Sequence, residues 1–177
     1  MEYNTDKISS GIASKYLELF ASLKEQPLRM MEVGYLDGEF LRWFKDHFKN
    51  SQVYGVGIYP PGELKDCERT ELFQGNQNDT RRLLEIGHSM DALDIIIDDA
   101  SHRDEETRNC FNCLWQFVKP GGWYIIEDWG AHYQHFQYGD MGKVISNILI
   151  NKNWLGVSNI EILYTLGHSL ACFQKKL

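Results

Sequence analysis

Apolar residues at Ile12, Tyr16, Leu17, Phe20 and Leu23 recur at helical spacing, and this periodicity predicts an amphipathic helix from Ser10 to about Lys24. After Pro27, the run Leu28 to Val33 is continuously apolar but for its arginine and glutamate, and Gly34 closes it as a buried strand. A second helix carries Phe40, Leu41, Phe44 and Phe48 on one face. Gln52 to Ile58 reads as the next strand, cut off by Pro60 and Pro61. Glu71 to Gly75 is a short strand, and Thr80 to Ile86 a helix ending near Gly87. Leu93 to Ile97 is too apolar for a strand with one wet face, so it is expected to be buried on both. Arg103 to about Val118 is a helix with Phe111, Leu114, Trp115 and Val118 inward, stopped by Pro120-Gly121-Gly122. Trp123 to Ile126 is another buried strand, and Met141 to Asn151 a helix. Ile160 to Thr165 and Ser169 to Gln174 flank Leu166-Gly167-His168 as a hairpin.

Strand and helix alternate through five strands before a closing hairpin. Alternation of this kind forces a mostly parallel sheet covered on both faces, a doubly wound α/β architecture. The closing hairpin makes the last strand antiparallel and favours a Rossmann-like class I methyltransferase over an NAD-binding fold. No repeat or linker divides the chain, so residues 1–177 are expected to form a single domain.

Composition narrows the picture. The 177 residues are 43% hydrophobic and 24% charged, which excludes a disordered or collagenous chain. The formal net charge is −7 and the Lys and Arg residues are scattered, so nucleic acid is not expected as a partner. No apolar run nears a membrane span, and the first residues lack the pattern of a signal peptide. Cys67, Cys110, Cys113 and Cys172 are too irregular for a disulfide framework, which fits a cytoplasmic setting.

Ligands of such sheets bind beyond the carboxyl ends of the strands, where the strand order switches. The first strand runs into Glu32-Val33-Gly34-Tyr35-Leu36-Asp37-Gly38. Gly34 and Gly38 let backbone approach a ligand, and Glu32 offers a carboxylate to an ammonium or to turn amides. A lone Gly-x-x-x-Gly is equally an ordinary tight turn, and Leu36 stands where the dinucleotide fingerprint needs a glycine. The second strand normally delivers an acid to a nucleotide ribose, yet Gly57 occupies that place, which leaves Tyr59, Glu63 or a main-chain group to take over. The fourth strand ends Asp98-Asp99-Ala100-Ser101-His102 and the fifth Glu127-Asp128-Trp129. If they are neighbours, several carboxylates and an imidazole converge, which calls for a cation or shared protons. Oxygen-rich sets suit Mg²⁺, Mn²⁺ or Ca²⁺. The bland alternative is that Asp98 caps a helix, His102 packs locally and Glu127 faces water.

Asp98-Asp99-Ala100-Ser101-His102, Pro120-Gly121-Gly122 and Ile125-Ile126-Glu127-Asp128 together resemble the macrolide-sugar O-methyltransferases of the mycinamicin and tylosin pathways. Glu32-x-Gly34-x-x-x-Gly38 and Asn4-Thr5-Asp6-Lys7 extend the likeness, so it runs from near the N-terminus to about Trp129. The resemblance implies a metal-dependent enzyme using S-adenosylmethionine, with Asp99, Glu127 and Asp128 as metal ligands, Mg foremost, and His102 as base. Expected on the cofactor side are Glu32, Gly34, Gly38, Tyr59, Asn76, Gln77 and Asp98. Asn76 stands where the related Gly-Asp-Gln turn has its acid, and Gly57 is a second departure. The expected reaction is methyl transfer to a hydroxyl of a sugar or polyketide-like small molecule. A degenerate binding protein without turnover and a metal-dependent hydroxylase or hydrolase are the rival readings. Self-association is compatible with the sequence.

Other features carry less. Cys110-x-x-Cys113 falls within a helix with no second pair, so a zinc or redox role is not favoured. His132 and His135, among Trp129, Tyr133, Phe136 and Tyr138, suit an acceptor pocket or an ordinary packed loop equally.

Overall fold

The computed structural model describes residues 3–60, 68–130 and 139–177. Seven strands form one sheet: β1 (Arg29–Val33), β2 (Gln52–Gly57), β3 (Thr70–Gln74), β4 (Leu93–Asp98), β5 (Val118–Glu127), β6 (Val157–Tyr164) and β7 (Ser169–Lys175). Their order is β3-β2-β1-β4-β5-β7-β6, parallel throughout except that β7 runs antiparallel to both β5 and β6. The expected doubly wound α/β sheet with its closing hairpin is therefore present. The order reverses between β1 and β4.

The described helices are α1 (Asp6–Ser9), α2 (Ile12–Leu19), α3 (Glu39–His47), α4 (Thr80–His88), α5 (Asp104–Leu114), α6 (Met141–Ile150) and α7 (Lys152–Leu155). The apolar stripes read from the sequence bury two faces of the sheet. Ile12, Ala13 and Tyr16 of α2 join Phe40, Leu41 and Phe44 of α3 over Met30, Ile95, Ile97 and Ile125. On the other face Leu83 and Ile86 of α4, Phe111 and Leu114 of α5, and Val144 and Ile148 of α6 cover Met31, Ile96, Tyr124 and Ile126. Burial on both sides explains why β1, β4 and the end of β5 show no polar alternation.

Several boundaries differ from the sequence expectation, two of them for a visible reason. The first helix starts at Ile12 and ends as a 3-10 turn over Ala21–Leu23, while α1 precedes it across Gly11, whose φ of 85° breaks the helix. β5 begins at Val118, before the Pro-Gly-Gly segment. Leu93 pairs with Val118 and Ile95 with Trp123, so Lys119 to Gly122 are absorbed as an irregularity in the register. No helix among the described residues is long and apolar enough to cross a membrane.

Candidate active site

Register brings the acidic strand ends level. Val33 of β1 stands opposite Asp98 of β4, and Asp98 opposite Ile126 of β5. Gly34, Asp99 and Glu127, one residue further on, therefore share the carboxyl rim at the switch in strand order. A cleft of about 680 Å³ opens there, with Lys7, Glu32, Gly34, Asp99, His102 and Asp128 among its lining.

Alternation along each strand then divides neighbouring acids between the two faces. Glu32, Asp99 and Glu127 turn toward the α2 side and meet Lys7 of α1, which is only 4% exposed. Its Nζ lies 2.9 Å from Glu127 Oε1 and 3.8 Å from Glu32 Oε1, and it also donates to Asp99 Oδ2. Glu127 Oε1 accepts a further hydrogen bond from Tyr16 Oη at 2.7 Å. Burial, with Asp99 beside it and Lys7 opposing, pushes the Glu127 carboxyl up to about 8. Burial likewise raises Glu32 well above the carboxylate range, Lys7 lowering it only in part. Burial alone would depress Lys7, but the carboxylates of Glu127, Asp99 and Glu32 outweigh it and hold the ammonium charged.

Asp98 faces the opposite way, away from the cleft lining. Its Oδ1 accepts from Gln77 Nε2 at 2.5 Å and its Oδ2 from Tyr124 Oη at 3.1 Å. Burial pushes its carboxyl up to about 7, against hydrogen bonds from Tyr124 and Cys110. Gln77 in turn accepts from the Ser101 backbone N–H through Oε1 at 3.0 Å, and its carbonyl accepts from Asn109 Nδ2. The Asp98–Gln77 pair thus fixes the loop that carries Asp99 and His102.

Asp99, His102 and Asp128 each present one donor atom such that all lie within 4.8 Å of one another. His102 and Asp128 adopt left-handed backbone, φ 54° and 51°, uncommon for residues with a Cβ and concentrated here at the cleft. Asp128 Oδ1 lies 2.9 Å from His168 Nδ1, which reaches in from the β6–β7 turn. The two carboxylates are oxygen donors of the kind that suits Mg²⁺ or Mn²⁺, and the His102 imidazole stands beside them. Glu127 stands outside this trio, held by Lys7 and Tyr16.

The cofactor-side residues separate similarly. Glu32 Oε2 is buried with no hydrogen-bond partner, an orphaned acceptor at the cleft wall. Gly34, at φ 99°, packs so close to β4 that a Cβ would sit 2.1 Å from the Asp99 carbonyl oxygen. Gly38 caps α3 with φ 80°, outside the cleft lining. Asn76, Gln77 and Tyr59 line it, Tyr59 being largely exposed. Glu63, Cys67, His132, His135, Tyr133, Phe136 and Tyr138 lie outside the described residues. Cys110 and Cys113 are buried free thiols, Cys110 beside Asp98.

Sequence reasoning quoted Lys7 within Asn4-Thr5-Asp6-Lys7 without giving it a role, and passed over Tyr16, His168 and Tyr35 as contributors to this site. Lys7 is one charge in a polar N-terminal stretch and His168 sits in a turn, so neither has a periodic signal.

No protein-family model matches the chain. Over 125 residues it is 34% identical to the mycinamicin VI 2''-O-methyltransferase of Micromonospora griseorubida, covering 66% of this chain and 31% of that enzyme. The demethylmacrocin O-methyltransferase of Streptomyces fradiae is 33% identical over 125 residues, with 66% and 31% covered. The chain spans about a third of the length of these curated relatives. A solved structure of the MycE methyltransferase of mycinamycin biosynthesis, in complex with Mg, SAH and mycinamycin VI, matches with a TM-score of 0.78 at 26% identity. It covers 92% of this chain and 49% of that one. The N-methyltransferase NodS from Bradyrhizobium japonicum shares the fold alone, at 13% identity, TM-score 0.67, and coverage of 96% and 97%. In sequence and in fold, this chain is a relative of the S-adenosylmethionine-dependent sugar O-methyltransferases, built on the class I methyltransferase sheet.

Proposed function

We propose that the cleft binds S-adenosylmethionine and a divalent cation, and transfers the methyl group to a hydroxyl of a small-molecule acceptor, a sugar on a natural product. The convergence of Asp99, His102 and Asp128 beside the orphaned Glu32 oxygen carries this reading. It is supported by the relatives' names, which give O-methylation of mycinamicin VI and of demethylmacrocin, and by the Mg and SAH held in the MycE structure.

Glu32 Oε2 would receive the donor's ammonium, and Asn76 and Gln77 line the adenine side. Asp99 and Asp128 would hold the cation, with His168 steadying Asp128. A bound divalent ion lowers the pKa of a hydroxyl it touches and stabilises the alkoxide. His102, 3.7 Å from Asp99 through Nε2, is positioned to take the hydroxyl proton. The acceptor oxygen then bonds to the methyl carbon as the C–S bond breaks, and the electron pair leaves on the thioether sulfur. The cleft's part is to hold oxygen, carbon and sulfur in line. Lys7 sits among Glu127, Glu32 and Asp99, so that three acids at one rim do not repel the fold apart.

Calorimetric titration with S-adenosylhomocysteine, with and without Mg²⁺, tests the proposal. Micromolar binding of S-adenosylhomocysteine supports it, with His102→Ala then lowering turnover on any acceptor found by roughly 10² to 10⁴ while binding persists. Metal binding without any affinity for S-adenosylhomocysteine would replace it with the hydrolytic reading.

A further inference from the structure

The end of the second strand in nucleotide-binding α/β sheets ordinarily supplies a carboxylate to the ribose hydroxyls. In this chain the position is Gly57. A Cβ placed on Gly57 would meet Tyr35 Cε1 at 2.8 Å, with Cδ1 and Cζ at 3.3 Å. At Gly55, two residues earlier on the same face, a Cβ would meet Tyr35 Cδ1 at 2.6 Å. The Tyr35 ring therefore runs alongside β2 where side chains from positions 55 and 57 would project; it alone crowds Gly57, while Leu72 Cδ2, at 2.7 Å, crowds Gly55 as well.

The ring is placed to do more than fill space. Tyr35 is 7% exposed, yet it lines the cleft together with Gly57, Ile58 and Tyr59. Its hydroxyl lies one bond beyond Cζ, an atom 3.3 Å from where a Cβ at position 57 would stand. Among the described residues that hydroxyl makes no hydrogen bond, and burial raises its pKa. The main-chain groups nearby are taken. The Gly57 carbonyl accepts from Gly75 N–H at 2.9 Å, and the Ile58 carbonyl from Gln74 Nε2 at 3.1 Å. Tyr59 stands 70% exposed on the outer lip.

We propose that Tyr35 replaces the ribose carboxylate, its ring taking the volume an acid at position 57 would need and its phenolic group making the hydrogen bond to the donor ribose. This rests on the reading of the cleft as an S-adenosylmethionine site. A phenol makes one strong contact where a carboxylate accepts from two vicinal hydroxyls, so ribose recognition here is of a single-bond kind.

The test is calorimetry of the full chain with S-adenosylhomocysteine and with its analogue lacking both ribose hydroxyls. Wild type is expected to prefer S-adenosylhomocysteine about tenfold, the worth of one good hydrogen bond. Tyr35→Phe keeps the ring and removes only the hydroxyl. It is expected to bind the two ligands equally, by losing affinity for S-adenosylhomocysteine alone. The double variant Tyr35→Ala with Gly57→Asp opens the volume and is expected to regain the preference. Tyr35→Phe retaining the wild-type preference would overturn the assignment of Tyr35. Absence of S-adenosylhomocysteine binding in wild type would instead overturn the reading of the cleft, and this inference with it.

Discussion

Glu127 shows how one residue's chemistry is set by its surroundings. It is 1% exposed, paired with Lys7 and Tyr16, and its carboxyl is held near 8 against an ordinary 4.5. A group that holds its proton more tightly folded than unfolded adds stability that is complete below pH 4.5. That contribution fades as the pH rises through about 8. In EDTA, wild-type stability to urea is therefore expected to fall between pH 5 and pH 8 more steeply than that of Glu127→Gln, by on the order of a few kcal/mol. Equal slopes would mean that Lys7 keeps Glu127 ionised throughout. From the sequence, Glu127 and Asp128 formed one acidic pair, because adjacency was visible and the alternation of faces at the strand end was not applied to it. Alternation sends Glu127 to α1 and α2, and the left-handed backbone at Asp128 turns that residue to the cleft. The same alternation parts Asp98 from Asp99.

Among the elements, the turn after β1 has a second job besides the one its glycine suggested. The sequence pointed to Gly34 as a place where backbone approaches a ligand. Gly34 lines the cleft, and a Cβ added to it would sit 2.1 Å from the Asp99 carbonyl oxygen, while its φ of 99° disfavours any side chain. Gly34→Val is thus expected to loosen the β1–β4 junction and lower stability by roughly 2 to 3 kcal/mol, read by thermal or urea unfolding. A variant as stable as wild type that has lost only ligand binding would restore the simpler reading. The β1, β4 and β5 strand ends were legible because strands buried on both faces leave long apolar runs that stop at acids. The elements α1 and the β6–β7 turn were not read as parts of the site. Four residues around Lys7 are too few for periodicity, and a turn sequence gives no hint that His168 reaches back to Asp128.

At the scale of the molecule, strand order does the assembling. Placing β4 next to β1 and β5 next to β4 sets acids from distant segments on one rim, and the switch between β1 and β4 opens the cleft above it. Alternation of elements made this architecture readable from sequence. The departure at Gly57 was readable as well, but its cause was not, since nothing in the chain's order says that Tyr35 lies across Gly55 and Gly57. The central claim is that one cleft holds the methyl donor and the cation side by side. It is tested most directly by a crystal structure of the chain grown with S-adenosylhomocysteine and Mn²⁺, read by anomalous scattering at the manganese edge. The expected result is one manganese peak between the Asp99 and Asp128 carboxylates, with the ligand's ammonium on Glu32. A peak seated elsewhere, or a ligand bound away from Glu32, would contradict it.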